Sequence, residues 1–258
     1  MSRRRIPKAT TQWSSPAARH LFEIAGHPPT IEDAVHLVAD MYLKGVPCPP
    51  TDLNAAAARV LVSEIIGEDL PVSGELRREG KKLKIVYSTY LSETRRRFTV
   101  AHELAHAIFE STKSHAPRTG AELERLCDML ASEILMPRDL FLTLTSTEPS
   151  VSNLLELART FKTSLSATGI RYAKLKNVSV FYIDDGAVAW GSGIIRKGPV
   201  SSLDFGLRLA LTKSENGQPL MDTVLLSQPQ WTGEWKLDYH PLHDGKRALC
   251  ILQPNRLR

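Results

Sequence analysis

The chain has few of the features that would place it quickly. Its 258 residues include only three cysteines, Cys48, Cys127 and Cys250, widely spaced and with no CxxC pair. An odd, dispersed set excludes a disulfide scaffold and a cysteine-based metal knuckle, so any metal must be held by histidines and carboxylates. No apolar run approaches the ~18 residues of a membrane span. The N-terminus, MSRRRIPKATTQW, has basic residues but no apolar stretch behind them, which is not the pattern of a secretory signal. The expectation is a bacterial-type cytoplasmic protein. There is no internal repeat and no low-complexity tract beyond the basic start.

What is present is ordinary in bulk, with 42% apolar and 24% charged residues and a net charge of +5. Arg3, Arg4, Arg5 and Lys8 carry much of that charge ahead of any apolar periodicity. Residues 1–28 therefore read as a basic, flexible arm. Thr30 caps a first helix with the stripe Ile31, Ala34, Val35, Val38 and Met41. DLNAAAARVLVSEII reads as a second helix closed by Gly67. ELRREGKKLKIVYS reads as a hairpin about Glu79-Gly80. LKIVYSTY, the better strand, feeds the next helix. It could accept an extended substrate at a sheet edge. ERLCDMLASEILMP is a helix ended by Pro137. LLELARTFKTSLSATGIRYAKL gives two short helices. Past residue 176 the texture alternates: VSVFYIDDGAVAW is a hairpin and RALCILQP a closing strand. The expected fold is α+β, with an arm at 1–28, a mostly helical domain with a small sheet at 29–176, and a strand-rich module at 177–258.

The chemistry concentrates in RRRFTVAHELAHAIFEST. His102 and His106 lie four apart, one turn above the other on a helix, and can aim ring nitrogens at one ion. Zinc accepts imidazole at ~2.0 Å and prefers tetrahedral sites. Glu103, one residue round the helix, lies beside such an ion and can take a proton from its water, which is the mechanical content of HExxH. Two histidines at helical spacing also arise by chance. The rest of this helix is apolar, however, and buried polar groups without partners cost about 1–3 kcal/mol each. A catalytic zinc needs a third protein ligand and an open position. Glu124 on the following helix fits as that ligand, and Asp128, one turn on, fits as the carboxylate that fixes a ligand histidine's tautomer. Glu122 and Glu133 are rivals, but neither has a carboxylate one turn further on. Manganese or cobalt could use the same donors. Arg95, Arg96 and Arg97 precede the helix, where positive charge is mildly unfavourable; they either find carboxylate partners or, the simpler account, form a solvated cluster. Tyr172 and His115 are the candidate oxyanion donors.

RRRFTVAHELAH followed by ERLCDMLASEILMP resembles the ImmA/IrrE metallopeptidases over roughly residues 70–175. Residue by residue, His102 and His106 match the zinc histidines, Glu103 the catalytic glutamate and Glu124 the third ligand. The Glu124 and Asp128 pair is also similar to that of thermolysin-like zincins. Cys127 stands where many relatives have alanine. The resemblance implies a zincin-like fold, Zn2+ as cofactor, and a regulatory endopeptidase whose substrate is a helix-turn-helix repressor in mobile-element or stress responses. Two other readings stand beside it. LxxLAxxFxxSxxAxxxR is close to the first two helices of a helix-turn-helix, which with the basic arm would make a DNA-binding regulator; packing beneath the metal site is the simpler account of those helices. Alternatively, the zinc fold binds a repressor without proteolytic turnover.

Overall fold

The computed structural model describes residues 13–111, 120–213, 218–228, 231–242 and 246–255. Arg3, Arg4, Arg5, Lys8 and His115 lie outside them. The chain is α+β and divides into two compact units, Met1–Pro137 and Arg138–Arg258. Among the described residues, no helix is long and apolar enough to cross a membrane.

The first unit opens with a helix where the sequence reading placed an irregular arm. Ser15 accepts the Ala18 N–H and Pro16 occupies the first turn of α1 (Pro16–Ile24), a pairing that starts a helix without further help. Ala17, Ala18 and Leu21 bury its inner face. Thr30 caps α2 (Ile31–Leu43), as its position implied. Met41 leaves the expected stripe and is 59% exposed, whereas Ala39 is buried. The predicted second helix is cut short. Asp52 caps α3 (Leu53–Ala58), but Leu61 turns into the left-handed region at φ 60° and the chain leaves as β1 (Val62–Glu68). Val62, Ile65 and Ile66 are β-branched and suit a pleated surface better than a helix. β2 (Gly74–Glu79) and β3 (Lys82–Ser88) form the expected hairpin, turning at Gly80 with φ +63°.

The sheet order is β1-β3-β2, with β1 parallel and β2 antiparallel to β3. β3 is therefore central: both its edges are occupied, and it cannot take a further strand. Among the described residues, β2 is an edge strand. Leu83, Ile85 and Val86 of β3 are buried, and α4 (Glu93–Ser111) packs on the sheet. α5 (Ala121–Leu135) packs on α4 and α2, so the two helices singled out in the sequence lie side by side.

The second unit begins with α6 (Arg138–Leu144), α7 (Val151–Phe161) and α8 (Leu165–Lys176). β4 (Ser179–Asp184), β5 (Ala187–Ser192), the short β6 (Gly198–Pro199), α9 (Phe205–Thr212), β7 (Leu220–Leu226), β8 (Gly233–Pro241) and β9 (Arg247–Pro254) follow. The six strands form an antiparallel sheet of order β6-β5-β4-β9-β8-β7. β9 closes the chain's strand order but sits at the middle of the sheet, where Leu249, Cys250, Ile251 and Leu252 are almost fully buried. Phe181, Cys250 and Leu252 join Leu207 and Ala210 of α9 in one cluster. α8 packs on β4 and β5, and α7 on β8 and β9. Asp238 of β8 accepts the N–H of Val151 at 2.7 Å, tying α7's first turn to the strands. α7 and α8 share a core with the strands that follow them, within the compact unit Arg138–Arg258.

Candidate metal centre

α4 is buried along Val100, Ala101, Leu104, Ala105 and Ile108. The spacing of 3.6 residues per turn then leaves His102 and His106 together on one flank, with ring centroids 4.9 Å apart. α5 contributes Glu124 and Asp128 in the same way, one turn apart. His102 Nε2 lies 3.2 Å from His106 Nε2 and 3.2 Å from Glu124 Oε2. His106 Nε2 lies 3.5 Å from Glu124 Oε1. One donor atom from each of His102, His106 and Glu124 thus falls within 4.8 Å of the others, a triad that could hold a metal ion.

The donor set fits zinc. Two nitrogens each 2.0–2.1 Å from a tetrahedral ion stand about 3.3 Å apart, close to the separation the two rings already have. Asp128 Oδ1 lies 3.0 Å from His102 Nδ1. With its hydrogen on Nδ1 donated to Asp128, His102 would present the Nε2 lone pair to Glu124 and His106.

Electrostatics separate the members of the site. Burial opposes a charge on His102, but the Asp128 hydrogen bond and the charges of Glu103, Asp128 and Glu124 prevail and raise its pKa. His106 goes the other way: burial and the neighbouring His102 lower it, against the opposing pull of Glu124. Glu103 is only 8% exposed. Burial, helped by the Glu124 and Glu75 charges and opposed by His102, pushes its carboxyl up to about 7. A buried carboxylate poised near neutrality beside a polar cluster is a suitable general base.

The rivals of Glu124 are committed elsewhere. Glu122 accepts the Ser15 N–H at 2.7 Å, and hydrogen bonding to the Ser15 side chain, helped by that backbone bond, lowers its pKa. Glu133 is buried and lies 3.1 Å from His36 Nδ1. Cys127 is wholly buried, and desolvation raises its thiol far above the usual range, so it is not a competing thiolate. Tyr172, a candidate oxyanion donor, is fully buried in the second unit; its hydroxyl accepts the Ser150 N–H at 3.1 Å at the start of α7. The three arginines form the first turns of α4 rather than preceding it. Arg97 donates to the Thr51 carbonyl at 2.9 Å and Arg96 stacks on the Tyr87 ring, so the partners seen for these two are a carbonyl and an aromatic face.

Two neighbours were not anticipated. Glu75 of β2 adds negative charge at Glu103, and Arg78 of the same strand pairs with Glu110 of α4. β2 therefore runs along the helix that carries the histidines. Nothing in their local sequence marks either residue, because the relation depends on sheet order.

Residues 65–172 match the sequence pattern of the IrrE N-terminal-like domain family, Peptidase_M78. Among solved structures, a Mycobacterium tuberculosis transcriptional regulator superposes with a TM-score of 0.50 at 14% identity, over 93% of this chain and 81% of that chain. At that identity the likeness concerns the fold. No curated protein sequence matches the chain.

Proposed function

We propose, from the premise that residues 65–172 form an IrrE N-terminal-like domain, that this chain is a zinc-dependent regulatory endopeptidase that hydrolyses a peptide bond in a partner protein. The substrate class we assign is a helix-turn-helix transcriptional repressor. The observation that carries the reading is the convergence of His102, His106 and Glu124 within 4.8 Å, with the carboxyl of Glu103 buried on the same helix.

His102 and His106 would hold the ion through Nε2 and Glu124 through its carboxylate, with Asp128 keeping the proton of His102 on Nδ1. When bound, zinc supplies a Lewis acid for the scissile carbonyl and an acidified water. Glu103 would accept a proton on a carboxylate oxygen as a water oxygen bonds to the scissile carbonyl carbon, and would return it to the amide nitrogen as the C–N bond breaks. Its burial makes this oxygen a stronger base than an exposed glutamate. The free edge of β2 offers backbone N–H and C=O groups to an extended peptide lying along α4. Pairing there would recognise the substrate by its main chain first.

The test is proteolysis of a helix-turn-helix repressor encoded beside this gene, by the native protein and by Glu103→Gln, with metal content measured on both. Loss of a general base costs ~10²–10⁴ in rate. Cutting by the native protein and none by the zinc-loaded variant supports the reading. If both hold zinc and bind the repressor while neither cuts it, the protein is a metal-dependent binding module instead.

A further inference from the structure

The second unit contains a cavity of about 380 Å³ that the metal chemistry does not use. Its floor is apolar: Ile195, Leu207 and Leu226 are buried members of the sheet's core cluster. Trp231 forms one wall and is itself braced, its ring edge-on to Trp235 at 6.4 Å and its carbonyl accepting the Trp235 indole N–H at 3.0 Å.

The polar groups at this cavity are unequal. Arg196 and Lys197 are exposed at its rim. Arg196 donates through Nη1 to the carbonyls of Gly193 and Ile195, which fixes the guanidinium on its own loop. Lys197 engages no partner among the described residues. The opposing charge is Asp204, and its oxygens are spent. Oδ1 accepts the Gly206 N–H at 3.0 Å, while Oδ2 accepts the Ser227 N–H at 2.9 Å and the Ser227 hydroxyl at 3.0 Å. Asp204 caps α9 and ties β7 to it. Two cations with bonding capacity left over therefore stand above an apolar floor and an aromatic wall.

We propose that this cavity is a binding site for a small anion with a planar apolar body, of the aromatic carboxylate class. A few convergent polar groups over an apolar pocket are the usual composition of a small-molecule site, and the volume is near the lower end of the ~300–1,000 Å³ such sites span. That size admits one or two rings, and it is too small for a folded peptide segment. The carboxylate would sit between Lys197 and the free face of Arg196, where charge-assisted hydrogen bonds are strongest. The rings would lie on Trp231 above Leu207 and Leu226.

The experiment titrates 1-naphthoate and its uncharged amide, 1-naphthamide, into the full chain, followed by calorimetry and by tryptophan fluorescence. One saturable site for naphthoate is expected, with naphthamide at least tenfold weaker. Lys197→Glu and, separately, Arg196→Gln should each weaken naphthoate at least tenfold. Both side chains are exposed, and unchanged circular dichroism and melting will establish that the variants fold. Glu103→Gln should bind naphthoate like the native protein, so the result is independent of the peptidase reading. Absence of saturable binding up to millimolar naphthoate overturns the proposal. So does equal affinity for acid and amide, or indifference to both substitutions in folded protein.

Discussion

Asp128 Oδ1 lies 3.0 Å from His102 Nδ1, while Glu124 Oε2 lies 3.2 Å from Nε2 of the same ring. Two carboxylates one helical turn apart thus grip opposite nitrogens of one imidazole, and only one of them can also reach His106. The asymmetry supports the proposed roles, Glu124 toward an ion and Asp128 toward the proton of His102. Asp128→Ala should weaken zinc binding by about 10–100-fold, the usual effect of removing such a partner. Chelator competition will measure it. Since Asp128 has a 58% exposed side chain, folding should be untouched. Unaltered zinc affinity would remove Asp128 from the site.

Glu103 makes stability depend on pH in the metal-free protein. Its carboxyl is pushed up to about 7 in the fold, from 4.5. The folded state thus binds this proton more tightly than the unfolded chain. Its contribution is fully present below pH 4.5 and is lost as pH rises through about 7. A rise of that size corresponds to roughly 3 kcal/mol. Metal-free Glu103→Gln, which cannot ionise, should escape the loss. It should melt close to the native protein at pH 5 and clearly above it at pH 8. Parallel melting curves at both pH values would show that Glu103 is not held in a desolvating position.

The candidate site was legible because its parts are local. His102, Glu103 and His106 are fixed by helical spacing alone, and so are Glu124 and Asp128; one helix–helix contact joins the two sets. The hairpin at Glu79-Gly80 and the helices over 151–176 were legible for the same reason. What was misread depends on partners distant in sequence. AAAARVLVSEII begins with strong helix formers, and only pairing with β3 turns its second half into β1. β3 carries the best strand sequence because it is central and buried, which is also why it cannot receive a substrate. The cavity beside Trp231 gathers residues from Ile194 to Trp231 that no spacing rule connects.

Tyr172 illustrates the distinction between a suitable group and an available one. Its phenol is buried and accepts the Ser150 N–H. Tyr172→Phe leaves that amide without its partner, a loss of about 1–3 kcal/mol. Thermal unfolding should shift down accordingly. Zinc stoichiometry and cleavage rate, assayed well below the melting temperature, should be those of the native protein. A large fall in cleavage rate with unchanged melting would return Tyr172 to the chemistry.

If the triad holds an ion as proposed, metal and fold are linked through the same three donors. An ion that binds only the folded state stabilises it by RT ln(1 + [L]/Kd), about 4 kcal/mol when free metal exceeds the dissociation constant a thousandfold. Zinc should therefore raise the melting temperature by several degrees, and a chelator should reverse the gain. His106→Ala and Glu124→Ala should each lose most of the shift, because each removes a donor from the triad. Glu103→Gln should keep it, because Glu103 is assigned to the proton and not to the ion. That pattern separates ligands from base without any substrate. Loss of the zinc shift in Glu103→Gln would instead make Glu103 a ligand, and the assignment of the open position would have to change with it.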